Sequence, residues 1–115
     1  MQCLEAISPI DGRYRKQLED LSAYFSYSSL IRYRVHVEIE YLIALSEAGF
    51  FTLSEKNKKA LRQLATDWTL AQAEAVKAIE QVTNHDVKAV EYYIKEKLQA
   101  LKLDKIREWV HFGLT

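Results

Sequence analysis

Between about Ser28 and Ala48 the apolar residues Leu30, Ile31, Val35, Val37, Ile39, Leu42, Ile43 and Leu45 recur at helical spacing. They cover much of a helix's circumference, which predicts a central, largely buried helix. Arg32, His36 and Glu40 recur every four residues as its polar stripe. The alternation of Val35, Val37, Ile39 and Tyr41 permits a strand, but apolar positions continue at helical spacing for roughly five turns, so the helix is preferred. Gly49 then stops it at a C′ position, with Phe50 and Phe51 expected to pack back on the last turn.

Elsewhere the pattern is again helical. Ser8-Pro9-Ile10-Asp11-Gly12-Arg13-Tyr14 reads as loop: Pro9 biases Ser8 away from helix, and Asp11-Gly12 is a turn dipeptide in which Gly tolerates positive φ. Lys16 to Phe25 fits a short helix with Leu18, Leu21 and Phe25 inward. Thr52-Leu53-Ser54-Glu55 reads as a capping box opening a helix to about Asp67, with Leu61 and Leu64 inward. Thr69-Leu70-Ala71-Gln72 is a second box, opening a helix to about Val82 with Val76 and Ile79 inward. A further helix starts near Asn84 or Asp86, buries Val87, Val90, Ile94, Leu98 and Leu101, and breaks at Leu103-Asp104. The expected fold is all-α, a single helical domain over residues 1–115. Trp109 to Thr115 closes the chain without a polar tail, which predicts a longer parent chain truncated after Thr115.

Composition agrees. Three Gly and one Pro in 115 residues leave little for a many-stranded sheet, and 49% hydrophobic with 28% charged content is that of a globular protein. Sixteen basic and sixteen acidic side chains cancel and are scattered, so neither nucleic acid nor a membrane surface is an expected partner. No apolar run approaches the roughly 20 residues of a membrane span. The start lacks the basic and apolar regions of a secretory signal. Cys3 has no partner for an internal disulfide, and a reducing, cytoplasmic location is expected.

Chemistry has two candidate addresses. At Thr83-Asn84-His85-Asp86 a new helix begins, and the unpaired N–H groups of a helix start attract anions. His85 adds a switchable proton donor and Lys88 a positive charge, whereas Asp86 suits a cap on backbone N–H groups or a grip on sugar hydroxyls. On local chemistry alone, this is an ordinary N-cap beside a surface histidine. Asp11-Gly12-Arg13-Tyr14-Arg15-Lys16 offers a guanidinium fork and a phenol with an aromatic face, against the plainer reading of a solvated basic loop. His36 reads as part of a polar stripe and His111 as a hydrogen-bonded core histidine. Tyr24, Tyr27, Tyr33, Tyr41, Tyr92 and Tyr93 read as packing. With no C-x-x-C or H-x-x-x-H spacing, no metal site is expected.

Taken together, Ser8-Pro9-Ile10-Asp11-Gly12-Arg13-Tyr14 and, some seventy residues on, Thr83-Asn84-His85-Asp86-Val87-Lys88-Ala89-Val90-Glu91-Tyr92 resemble the adenylosuccinate lyase family of the fumarase/aspartase superfamily. Val110-His111-Phe112-Gly113-Leu114-Thr115 resembles the lead-in to the family's Thr-Ser-x-Asp motif, of which only the Thr is present. The likeness runs from about Ala6 to Thr115. It implies the family's N-terminal domain, without the long central helical bundle that builds a homotetramer. It further implies β-elimination of adenylosuccinate to AMP and fumarate, and of the succinylated carboxamide ribotide, without cofactor or metal. By the match Arg13 and Tyr14 bind the nucleotide, with Arg13 at its phosphate. Asn84, His85 and Asp86 line the same pocket, and Thr115 approaches the succinyl portion. The family's Ser base and His acid lie downstream of Thr115, so no catalytic residue is expected here and the chain alone is expected to be inactive. A stand-alone helical interaction module would leave both motifs as coincidences. Another lyase of the superfamily fits less well, since the Arg13 loop suits a nucleotide phosphate better than a bare dicarboxylate.

Overall fold

The computed structural model describes residues 3–114, and among these the chain is helical with no strand. Its helices are α1 (Ser22–Phe25), α2 (Tyr27–Glu47), α3 (Glu55–Thr66), α4 (Leu70–Thr83) and α5 (Asp86–Ala100), with 3-10 turns at Cys3–Glu5, Arg15–Gln17, Glu19–Leu21 and Asp104–Trp109. The residues form two compact units, divided between Leu30 and Ile31. Among the described residues no helix is long and apolar enough to cross a membrane.

The first unit is turns and short helical pieces. The predicted helix from Lys16 to Phe25 is replaced by two 3-10 turns and the single turn of α1. A 3-10 turn holds three residues, so the spacing of Leu18, Leu21 and Phe25 no longer makes one stripe, and Leu21 and Phe25 are exposed. So short a helix also has little intrinsic stability to resist this breakup. Ser26 opens α2, its Oγ accepting the Ser29 N–H at 3.1 Å, and the Ser29 hydroxyl donates to Ser22 O at 2.6 Å. Ser8 to Tyr14 is a chain of turns, with Asp11 N–H donating to Ser8 O and Tyr14 N–H to Pro9 O. Gly12 is needed there for proximity and not, as expected, for positive φ: a Cβ would lie 2.7 Å from Cys3 O and 2.8 Å from Ala6 Cβ.

The second unit holds the hydrophobic core. From α2, Ile31, Val35, Ile39, Leu42 and Ile43 are buried; α3 adds Leu61 and Ala65, α4 adds Ala73 and Val76, and α5 adds Ala89, Val90, Tyr93, Ile94 and Leu98. Each large aliphatic chain so buried contributes roughly 1.5–3 kcal/mol. The α2 helix is thus central on one face only: Val37 on its other side is exposed, and Leu45 is half-buried. α4 and α5 form the most extensive helix pair, and Ala73 and Ala89 provide small side chains for close packing. Of the tyrosines read as packing, Tyr93 is buried edge-on against Trp68, while Tyr24, Tyr27, Tyr33 and Tyr92 are exposed.

Local signals explain most boundaries. Gly49 sits at φ +96° with Phe50 N–H donating to Leu45 O, as a C′ glycine requires. Phe50 and Phe51 stack on Trp109, at 5.3 and 5.7 Å between ring centroids. The α3 cap lies two residues later than predicted. Ser54, not Thr52, has the extended backbone and accepts the Asn57 N–H at 3.1 Å, leaving Leu53 buried just before it. Thr69 and Gln72 do form a capping box, the Gln72 carbonyl accepting the Thr69 N–H at 2.9 Å.

Candidate functional site

The Thr83–Asp86 corner is built by a helix end meeting a helix start. Asn84 ends α4 in the left-handed region (φ 54°, ψ 32°), a conformation its short polar side chain tolerates. The extended residue that follows, His85, caps α5. Its Nδ1 accepts the Lys88 N–H at 3.2 Å, which in a neutral ring places the proton on Nε2. The histidine therefore serves the helix with one nitrogen, while the side chain stays 62% exposed. The Thr83 hydroxyl donates to His85 O at 3.1 Å, closing the turn.

Asp86 is the first residue of α5. Its Oδ1 accepts the Val87 N–H at 2.8 Å, and Oδ2 lies 3.0 Å from the Arg34 guanidinium. The Val87 N–H, then Arg34, hold this carboxyl below the usual aspartate range against the opposing effect of burial. Of the two roles foreseen for Asp86, capping is the one its bonds express. Arg34 is the corner residue that sequence reasoning missed. It stands on α2 outside the Arg32, His36 and Glu40 stripe, and its partner is 52 positions away, so local spacing gives no sign of it.

Arg13 and Tyr14 belong to the first unit and Asn84, His85 and Asp86 to the second. The Arg13 guanidinium lies 5.1 Å from the centroid of the Tyr14 ring, and both side chains are exposed. Arg15 makes a loose pair with Asp11 at 3.8 Å. Thr115 lies outside the described residues. The segment before it is fixed to α2: His111 Nδ1 lies 2.6 Å from Glu38 Oε1, and the Tyr41 hydroxyl donates to Phe112 O at 2.5 Å. His111 is hydrogen-bonded as expected, but it is half-buried at the edge and not a core residue. The His36 stripe is also realised in part, since Glu40 grips Arg62 on α3 with both oxygens.

The corner in the second unit offers an imidazole oriented by a backbone donor and a carboxylate paired with Arg34; the loop of the first unit, taken by itself, offers a guanidinium over a phenol. No family model matches the chain. Curated proteins do. It is 49% identical to the adenylosuccinate lyase of Dictyostelium discoideum over 97% of its own length, 39% identical to that of Haemophilus influenzae and 35% to that of Escherichia coli (strain K12), the latter two over its full length. The chain spans about a quarter of the length of these relatives, 26% in each case. Identity at this level over nearly every residue, with the Arg13 loop and the His85 corner inside the matched region, makes the chain similar along its whole length to about a quarter of an adenylosuccinate lyase.

Proposed function

We propose that the chain is the N-terminal, substrate-positioning part of an adenylosuccinate lyase, an enzyme that cleaves adenylosuccinate to AMP and fumarate, and the succinylated carboxamide ribotide to its amide and fumarate, by β-elimination. The observation that carries this reading is the likeness to such lyases over 97–100% of the chain. In it Arg13 holds the nucleotide phosphate beside Tyr14, and Asn84, His85 and Asp86 line the pocket. Thr115 meets the succinyl part. The state of His85 supports the assignment. With Nδ1 committed to the Lys88 N–H, Nε2–H is a donor whose direction is set by the helix, and preorganised donors are what an elimination developing negative charge requires.

The base and acid lie outside these 115 residues, in a cytoplasmic homotetramer assembled through a helical domain and needing neither cofactor nor metal. Positioning without proton transfer gives little rate, so the isolated chain is inactive. Two measurements test the proposal. Fumarate release by the 115-residue chain stays at the buffer level, and turnover above it overturns the inactivity. AMP titrated into labelled chain shifts the resonances of His85 and of the Arg13–Tyr14 loop; binding that moves neither removes them from the substrate pocket.

A further inference from the structure

Beginning at Thr83 and Lys88 beside the corner, α4, α5 and the turn after α5 line a groove of about 710 Å³, within the roughly 300–1,000 Å³ of small-molecule sites. Its apolar wall is Ala78, Ile79, Val82 and Tyr92. The charged residues lining it are Lys88, Lys95 and Arg107, opposed by Glu96. The Lys88 and Lys95 ammonium groups lie 5.6 and 5.8 Å from the centroid of the Tyr92 ring, and Lys95 is partly neutralised by Glu91 at 3.1 Å. Arg107 is the informative member. Its Nε is shut off from solvent and has no hydrogen-bond partner, and a buried guanidinium N–H without an acceptor is a cost that an anion removes once Arg107 turns its Nε toward the groove.

We infer that this groove binds a small organic anion, a flat apolar body carrying one carboxylate or phosphate. The body lies against Ile79, Val82 and Tyr92, and the anion meets Arg107 and the lysines. A guanidinium fork and two ammonium groups match such a head group, and the concave volume suits a small molecule better than a protein surface. The groove adjoins the His85 corner at Thr83 and Lys88 and extends along α5 to Lys95, nine residues beyond Asp86 and about 13 Å along the helix axis.

The test is a titration of the ¹⁵N-labelled chain with 2-naphthyl phosphate, 2-naphthoate and neutral 2-naphthol, following the Arg107 Nε–Hε resonance. A saturable shift is expected with at least one of the two anions and only weak binding of the naphthol; the tighter anion identifies the head group. Arg107→Gln weakens binding roughly tenfold, the scale of one charge-assisted hydrogen bond. Should that variant fold poorly, Lys88→Gln at an exposed position weakens it several-fold. Three results overturn the inference: naphthol binding as tightly as the anions, shifts centred on His85 and Val87 instead of Arg107, or no saturable shift. None of them bears on the lyase assignment, which rests on the likeness along the whole chain.

Discussion

Glu38 Oε1 and His111 Nδ1 meet at 2.6 Å across 73 residues of chain. The carboxylate is buried, its second oxygen has no partner, and His111 holds a left-handed backbone at φ 62°. Glu38 is one of three residues on a single stripe of α2. Arg34 holds Asp86 at the corner, Glu38 holds His111, and Tyr41 holds Phe112 O. One helix face therefore positions both the start of α5 and the segment leading to Thr115.

The pair should be structurally costly to break. Removing the carboxylate leaves the His111 ring nitrogen without its partner, typically at about 1–3 kcal/mol, and His111 would also lose the bond that offsets its strained backbone. Glu38→Ala is expected to destabilise the second unit by about 1–3 kcal/mol in urea unfolding. Glu38→Gln keeps an acceptor and costs less. A loss below about 1 kcal/mol for the alanine variant would show that the segment is held by Tyr41 and apolar packing instead.

Gly12→Ala tests the first unit. The added methyl meets backbone at Cys3 O, which cannot move aside as a flexible side chain would. Overpacking of this kind costs about 1–3 kcal/mol. Faster amide exchange is expected at Asp11, Gly12 and Tyr14, whose N–H groups bond within the turn, with the α5 amides unchanged. Unaltered exchange at these three positions would mean that the turn absorbs the methyl without loosening.

How far the sequence reveals this molecule follows from the range of each interaction. Helix starts and stops set by neighbours, such as Thr69 with Gln72 or Gly49 after α2, are legible because donor and acceptor lie within a few residues. Sequence does not decide between Thr52 and Ser54 as the α3 cap, because the burial of Leu53 between them is a tertiary fact. The short elements before α2 are not resolved by the residue pattern, because 3-10 and α geometry differ little in sequence. Arg34 and Glu38 are the instructive misses. Charged residues among apolar ones on α2 look like solvent-facing positions until their partners arrive from 52 and 73 residues away. The residue types at the corner were legible, but that His85 itself is the cap depends on the left-handed Asn84 placing it there.

That division of labour within His85 can be separated experimentally. Loss of an N-cap acceptor costs about 0.5–2 kcal/mol, so His85→Ala should lower stability by about 1 kcal/mol. His85→Asn supplies a strongly preferred cap and should restore most of it, while lacking the Nε2–H donor. If the proposed role is right, both variants lose nucleotide-induced shifts at the corner, and only the alanine variant unfolds earlier in urea. Asparagine retaining full binding would assign His85 to the helix and not to the ligand.

Asp86 gives the acid dependence of the same corner. Its folded carboxyl sits below the ordinary value of 3.8, through the Val87 N–H and then Arg34. A depressed carboxyl contributes stability that is present above the ordinary value and lost as pH falls through the folded one. The Asp86→Asn side chain can still accept from Val87, so it removes the charge more than the cap. At pH 7 and low salt the variant should be less stable by about 1 kcal/mol or less, since the side chain is 43% exposed and such pairs are screened. The gap should narrow below pH 4 and also in molar salt at neutral pH. A gap that persists at low pH would show that the asparagine disturbs the cap itself. If it closes as expected, Asp86 is ionised throughout the neutral range. An anion approaching His85 then meets a carboxylate already neutralised by Arg34, and Arg34→Gln should weaken anion binding at the corner by exposing that charge.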